Sequence, residues 1–435
     1  MDIKIPIYAL FPFFLMLSAI AFLPLIASHF WEKNRYKLLI AMLLGVPTAI
    51  WLIYAGFYDH LFHTLAFDYI PFIILIGSLF IITGGIYLEG DLGSKPSMNV
   101  RFLSVGAILA SFMGTTGAAM LLIRPLIRTN AKREFKTHTI LFFIAVVANC
   151  GGLLTPLGDP PLFMMYLRGT PFDWFFGFFK EWLICNGVLI TIYYFIDNYF
   201  WKKEKPENIA IDKTHHKPLN IIGKRNFTWL FGVVFAVAII NPNNFSFIQT
   251  AHISSFTREI VIILMAVLSM INTKRFIRVA NNFKWDPVKE VALLFFGIFI
   301  TMVPCMLYLE SNASKLGASS PIAFYYVSGF LSSFLDNTPT AVTFYSLAKG
   351  LVDLNPEYLL HNFVAGIPEM FMYAICTGSV FFGAMTYIGN GPNFMVKAIA
   401  ENNKIEMPNF FAYMYKFSLI VLLPVLILIQ LLFIW

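Results

Sequence analysis

Asp159 and Asp336 are the side chains of this sequence best placed to do chemistry. Each stands in the middle of a long apolar segment beside helix breakers, Pro160 and Pro161 after the first and Pro339 after the second. An ionisable group at membrane depth costs about 2.5–3.5 kcal/mol on insertion scales and marks a functional site by default. Asp159 also belongs to a motif that occurs twice. Gly152, Thr155, Gly158, Pro161, Phe163 and Met164 fit G-x-x-T-x-x-G-x-x-P-x-F-M, and Gly383, Thr386, Gly389, Pro392, Phe394 and Met395 fit it again 231 positions later. Gly/Pro-interrupted hydrophobic segments paired between two halves of a chain point to the binding site of a secondary transporter.

Hydroxyl, amide and small residues gather at the same breaks. Thr115, Thr116 and Gly117 lie in one, and Asn337, Thr338 and Thr340 in another. Thr155 and Gly158 flank the first motif's centre; Thr386, Gly389, Asn390 and Asn393 flank the second. Such oxygen ligands suit a hard cation. Half-helix N-termini suit anions, and freed carbonyls suit Na+ or H3O+. Desolvation favours the neutral form of a carboxyl and a bound cation favours the ionised form, so a carboxylate among these groups exchanges protons for cations. Structural readings compete with this one. Gly and Thr pack transmembrane helices closely, and each Asp is well placed to cap the helix that follows it. Capping does not exclude binding. Glu369, after Pro368, and His138 are candidate proton relays unless they sit at an interface.

The elements that must position these residues are membrane helices. The chain has 435 residues, is 58% hydrophobic and only 13% charged, and has a mean hydropathy of +0.71. A soluble domain carries about 25% charged residues. Apolar runs of about 20 residues, the length that crosses a bilayer, recur throughout. They place spans at 6–27, 36–57, 68–88, 138–167, 178–200, 228–247, 255–273, 288–309, 362–399 and 410–434. The basic balance (pI about 9.0) is a topology signal, not a mark of nucleic-acid binding. Cys150, Cys185, Cys305 and Cys376 sit inside apolar segments without paired spacing and read as packing residues. Trp31, Trp182, Trp201 and Trp435 read as interfacial anchors.

Two apolar stretches, 101–123 and 321–347, have polar centres, Gly114 to Gly117 and Asp336 to Thr340. Basic residues flank the first on both sides, which favours a re-entrant hairpin over a span. With both stretches as hairpins, 25 of the 31 Lys and Arg fall in cytoplasmic loops and both termini lie outside. The predicted fold is an all-α polytopic membrane protein of two inverted repeats, each with five transmembrane helices (one broken) and one re-entrant hairpin. Residues 1–200 form the first repeat, with hairpin 101–123 and broken helix 138–167. Residues 227–435 form the second, with hairpin 321–347 and broken helix 362–399. Residues 201–226 form a cytoplasmic linker. An odd number of spans per half inserts the second half upside down, which brings hairpin tips and breaks together near the midplane.

These residues resemble the ion transporter superfamily, which includes divalent anion/sodium symporters, citrate transporters, arsenite efflux permeases and NhaD-type sodium/proton antiporters. Thr386-Tyr-Ile-Gly389-Asn390-Gly-Pro392-Asn393 is similar to its Thr-x-x-Gly-x-x-Pro-Asn element, and Asp336-Asn337-Thr338-Pro339-Thr340 stands where its second hairpin tip stands. Dicarboxylate symporters carry Ser-Asn-Thr at both tips; here the first reads Gly-Thr-Thr and the second Asp-Asn-Thr. A fixed anion beside a carboxylate substrate is repulsive at low dielectric. The Asp-Asn-x-Pro tip, with Pro-x-Gly-Asp from Pro156 to Asp159, looks more like the NhaD-type antiporters. The resemblance implies an inner-membrane homodimer whose hairpin domain moves like an elevator.

The expected function is therefore sodium/proton antiport, with Asp159 and Asp336 binding protons and Na+ in turn. The other residues at the breaks supply ligands, and Na+ would sit at Asp336, Asn337 and Asp159. The alternative is a Na+- or H+-coupled citrate or dicarboxylate symporter, in which half-helix N-termini and Asn393 hold the substrate. Partners are the lipid bilayer and small ions, and no cofactor is expected beyond the transported Na+ and H+. An intramembrane enzyme is disfavoured, since neither His-Glu-x-x-His nor Gly-x-Ser-x-Gly occurs.

Overall fold

The computed structural model describes residues 5–31, 33–91, 93–209, 217–240, 256–313, 320–354 and 362–435. In a bilayer every backbone N–H and C=O must be satisfied within the protein, so apolar segments of this length become helices. The first half contains α1 (Phe11–Ile26), α2 (Asn34–Tyr54) and α3 (Tyr58–Thr83). Strand β1 (Tyr87–Asp91) follows, then α4 (Pro96–Met113), α5 (Thr115–Thr129), α6 (Thr137–Val146), α7 (Pro160–Leu167) and α8 (Phe179–Trp201). The second half contains β2 (Lys217–Ile222), α9 (Arg225–Ile239), α10 (Thr257–Asn272), α11 (Arg275–Ala280) and α12 (Asp286–Asn312). It continues through α13 (Pro321–Phe334), α14 (Asn337–Leu354), α15 (Glu369–Phe382), α16 (Gly391–Asn402) and α17 (Phe410–Phe433). Among the described residues, seven helical stretches are long and apolar enough to cross a membrane. The protein is an all-α polytopic membrane protein.

Three features depart from the sequence expectation. The third span begins ten residues early, at Tyr58, and contains a π-helical stretch, Thr64–Tyr69. It ends at Thr83, before Gly84 and Gly85. Residues 84–88, predicted as the end of that span, lead instead into β1, which pairs antiparallel with β2 from the linker, Leu88 opposite Ile221 and Glu89 opposite Asn220. A second small pairing, β3 (Phe363–Val364) with β4 (Ile367–Pro368), occupies the predicted start of the second broken helix, so that α15 begins only at Glu369. Residues 210–216 of the linker, the end of the 228–247 span and the first residue of the 255–273 span lie outside the described residues.

The core is built on close helix pairs. Helix α12 crosses α2 where both are small: a Cβ on Gly297 would lie 2.9 Å from the Ala41 backbone. Helix α13 lies along α15, Phe324 tilted onto Phe371 with ring centroids 4.6 Å apart. Helices α13 and α15 also pack against the unwound segment Gly383–Met385.

Candidate functional site

Four helices start at the interruptions. Only Gly114 separates α4 from α5, and its φ of +80° is a conformation that L side chains rarely adopt. Helix α13 ends at Phe334 and α14 begins at Asn337, the Asp336 carboxylate accepting the Thr338 N–H at 3.1 Å. Each broken helix unwinds through a 3-10 turn, Cys150–Leu154 in one and Gly383–Met385 in the other. The chain then crosses itself so tightly that a Cβ on Gly158 would lie 1.9 Å from the Gly152 carbonyl oxygen, and one on Gly389 would lie 2.7 Å from that of Gly383. Only glycine permits this crossing, which accounts for the Gly-x5-Gly spacing common to both motif copies.

The four helix starts meet at Asp159. Its carboxylate, 1% exposed, accepts from Thr115 Oγ1 at 2.9 Å, Asn337 Nδ2 at 2.8 Å and Asn390 Nδ2 at 3.1 Å. Thr115 and Asn337 are the first residues of α5 and α14; Asp159 and Asn390 immediately precede α7 and α16. The Asp159 side chain makes no capping bond to α7. It turns across the molecule to side chains up to 231 residues away. Helix N-termini carry partial positive charge and amide N–H groups complement an anion, so the arrangement is built around one negative charge. None of its hydrogen-bond partners is a Lys or Arg.

A second layer holds the first. Asn337 Oδ1 accepts from Ser332 Oγ at 2.5 Å. Asn390 Nδ2 also approaches Asn149 Oδ1 and the Ala148 carbonyl, both at 3.2 Å. Asn149 Nδ2 donates to Asn393 Oδ1 at 2.7 Å, and Asn393 Nδ2 donates to the carbonyls of Gly383 and Thr386 at 2.8 and 2.9 Å. Asn149 and Ser332 were not singled out in the sequence. The available signal for Asn149 was an amide in an apolar run, two residues before Gly151 and Gly152.

Other predicted ligands have different duties. Thr155 Oγ1 donates to the Ser111 carbonyl and accepts the Leu157 N–H at 3.2 Å. Thr386 Oγ1 donates to the Ser333 carbonyl and accepts the Ile388 N–H at 3.2 Å. Both threonines thus satisfy a last-turn carbonyl of α4 or α13 and an N–H of the unwound segment. Thr340 Oγ1 donates to the Asp336 carbonyl at 3.1 Å. Thr116, Gly117 and Gly158 line, with Asp159, Leu79 and Phe163, a pocket of about 60 Å³. That is room for a small ion and water, since a water occupies roughly 10–15 Å³ on this measure.

The two candidate proton relays make other contacts. His138 Nε2 lies 2.8 Å from Asp197 Oδ1, which also pairs with Arg133 at 2.6 Å. Glu369 Oε1 accepts the Trp174 indole N–H at 2.7 Å. Neither shares a hydrogen bond with the Asp159 cluster among the described residues.

The unwound carbonyls are served by two further helices. From α8, Trp182 Nε1 donates to the Gly151 carbonyl at 2.9 Å and Asn186 Nδ2 to that of Cys150 at 3.2 Å. From α17, Tyr413 and Ser418 hydroxyls donate to the carbonyls of Ala384 and Met385, each at 2.7 Å.

The family model described as "Putative citrate transport" matches residues 2–434. None of the curated proteins compared with the chain matches it.

Proposed function

The chain belongs to the "Putative citrate transport" family, and we propose that it is a secondary transporter coupling a citrate-like carboxylate to Na+ or H+ at Asp159. As a multi-pass membrane protein of that family it is a transporter. The observation that carries it is the buried Asp159 carboxylate, held by Thr115, Asn337 and Asn390 where four helices start. A second carboxylate at 4 Å would be repelled by about 4 kcal/mol at an effective dielectric near 20. Neutralising Asp159 with Na+ or H+ removes that repulsion and leaves helix N-termini and amide donors for the substrate. Cation and substrate then favour each other's binding reciprocally, which is the thermodynamic basis of symport. A pocket of about 60 Å³ beside Asp159, walled by Thr115, Thr116 and mainly apolar side chains, has room for the cation, and a carboxylate substrate enters when its walls separate.

The second reading, sodium/proton antiport, is favoured by the same pocket size and by Asp336, next in sequence to Asn337. Uptake into proteoliposomes separates the two. Radiolabelled citrate accumulating under an imposed Na+ or pH gradient, and not accumulating in Asp159→Asn, supports symport. Collapse of a pH gradient by Na+ alone, without citrate uptake, overturns it in favour of antiport.

We propose further that residues 1–200 and 227–435 are inverted repeats joined by 201–226. The matched bonds from Thr155 to Ser111 and from Thr386 to Ser333, and the two glycine crossings, support this division. It keeps both termini on the outer side of an inner membrane, in a homodimer.

A further inference from the structure

We infer that a second cavity, away from Asp159, is a binding site for an organic ammonium ion. It opens where α8, α13 and α15 begin and α17 ends, has a volume of about 500 Å³, and is lined by Glu181, Glu369, Met370, Tyr373, Phe433 and Trp435 among others. Volumes of about 300–1,000 Å³ are typical of small-molecule sites.

Glu181 carries the argument. It is only 5% exposed, yet its Oε2 has no hydrogen-bond partner among the described residues. A buried carboxylate oxygen left unpaired is costly unless a group from outside the chain satisfies it. The cavity's other carboxylate, Glu369, accepts the Trp174 indole N–H at 2.7 Å. Trp174 meets Tyr373 edge-on with ring centroids 5.1 Å apart, and Tyr373 lies 4.6 Å from Phe178. Both glutamates act electrostatically on Tyr373. Among the described residues no Lys or Arg lines the cavity; Lys180, beside Glu181 in the chain, is exposed.

Two carboxylates therefore line a space with aromatic walls and, among the described residues, no cationic side chain. A hard metal ion takes six to eight oxygens in the calcium case, more than these residues offer, and has no use for Phe433, Met370 or Trp435. An ammonium group on an apolar body uses everything present: the carboxylates for its N–H donors, and the rings for cation–π and apolar contact.

The test is calorimetric titration of the full chain in phosphatidylglycerol nanodiscs with benzylamine, benzyl alcohol and benzoate. Benzylamine is expected to bind saturably, about tenfold or more tighter than benzyl alcohol, as a charge-assisted hydrogen bond implies; benzoate is expected not to bind. Glu181→Gln should lose that advantage while eluting and melting like the wild type. Glu369→Gln, the cavity's second carboxylate, should lose it as well, and it replaces Glu181→Gln should that variant not fold. Equal binding of benzylamine and benzyl alcohol, or full benzylamine affinity in the variants, would overturn the inference. Adding phosphatidylethanolamine to the discs distinguishes two sources of the ammonium. Weakened benzylamine binding assigns the site to a lipid headgroup, and unchanged binding assigns it to free amines.

Discussion

Asp159 and Asn390 occupy the same position in the two copies of one motif, 231 residues apart, and they are hydrogen-bonded to each other, Asn390 Nδ2 donating to Asp159 Oδ1 at 3.1 Å. Their partners match as well, since Thr115 and Asn337 each open the second helix of a pair. A duplicated arrangement has thus come to hold a carboxylate on one side and its neutral isostere on the other.

Asp159→Asn should uncouple transport without unfolding the protein. The new amide offers an N–H where Thr115, Asn337 and Asn390 already donate. Losing a hydrogen-bonded charge of this kind costs about 1.5–3 kcal/mol, or about 10- to 100-fold in cation affinity. Cation-driven citrate uptake, measured against the thermal midpoint of the same preparation, checks this. An uptake rate equal to wild type would remove Asp159 from the mechanism.

The reverse change, Asn390→Asp, places two carboxyls in hydrogen-bond contact. Like charges so close cannot both ionise, so one retains a proton. The expected outcome is a steeper pH dependence of uptake than wild type, one further proton being linked to binding. Parallel pH profiles of the two proteins would count against Asp159 and Asn390 sharing one site.

Gly158→Ala drives a Cβ to 1.9 Å from the Gly152 carbonyl oxygen, and the neighbour is backbone that cannot swing aside. Overpacking commonly costs about 1–3 kcal/mol, read as a lowered melting midpoint in detergent. Gly187→Ala is the control: nothing lies within 4 Å of its Cβ position, and replacing an exposed helical Gly gains up to about 1 kcal/mol in propensity. Its midpoint should hold or rise.

Arg133→Met should damage stability while sparing the coupling ion. Arg133 and Asp197 form a buried pair at 2.6 Å that also holds His138, Asn99 and Tyr193. Breaking one partner of such a pair costs about 3–5 kcal/mol. A large drop in midpoint with an unaltered Na+ or H+ requirement in the surviving protein is expected. A changed ion requirement would instead tie this cluster to transport.

Sequence located the interruptions where the signal was local. Breakers inside apolar runs located all four helix starts, and a lone ionisable residue beside one of them located Asp159. Sequence gave no means of ranking the hydroxyls. Thr115 reaches Asp159, whereas Thr155 and Thr386, identical in type and context, turn to the Ser111 and Ser333 carbonyls. That choice depends on which last-turn carbonyls of α4 and α13 lie beside each threonine. Asp336 drew attention through its charge, and its carboxylate accepts the Thr338 N–H. Asn149 escaped because one amide in a hydrophobic run resembles a packing residue until Asn390 and Asn393 approach from the other half. The β1–β2 pairing was equally hidden. Apolarity in a window reports burial, and strand partners 135 residues apart, such as Tyr87 and Ile222, leave no mark in it.

The carbonyls released at the two interruptions are answered by Trp182 and Asn186 from α8 and by Tyr413 and Ser418 from α17. In hydrocarbon there is no water to take over those bonds. Any displacement that carried the interruptions across the bilayer while leaving α8 and α17 behind would strand four acceptors at once. If transport moves the interruptions, α8 and α17 would have to move with them to keep these four bonds.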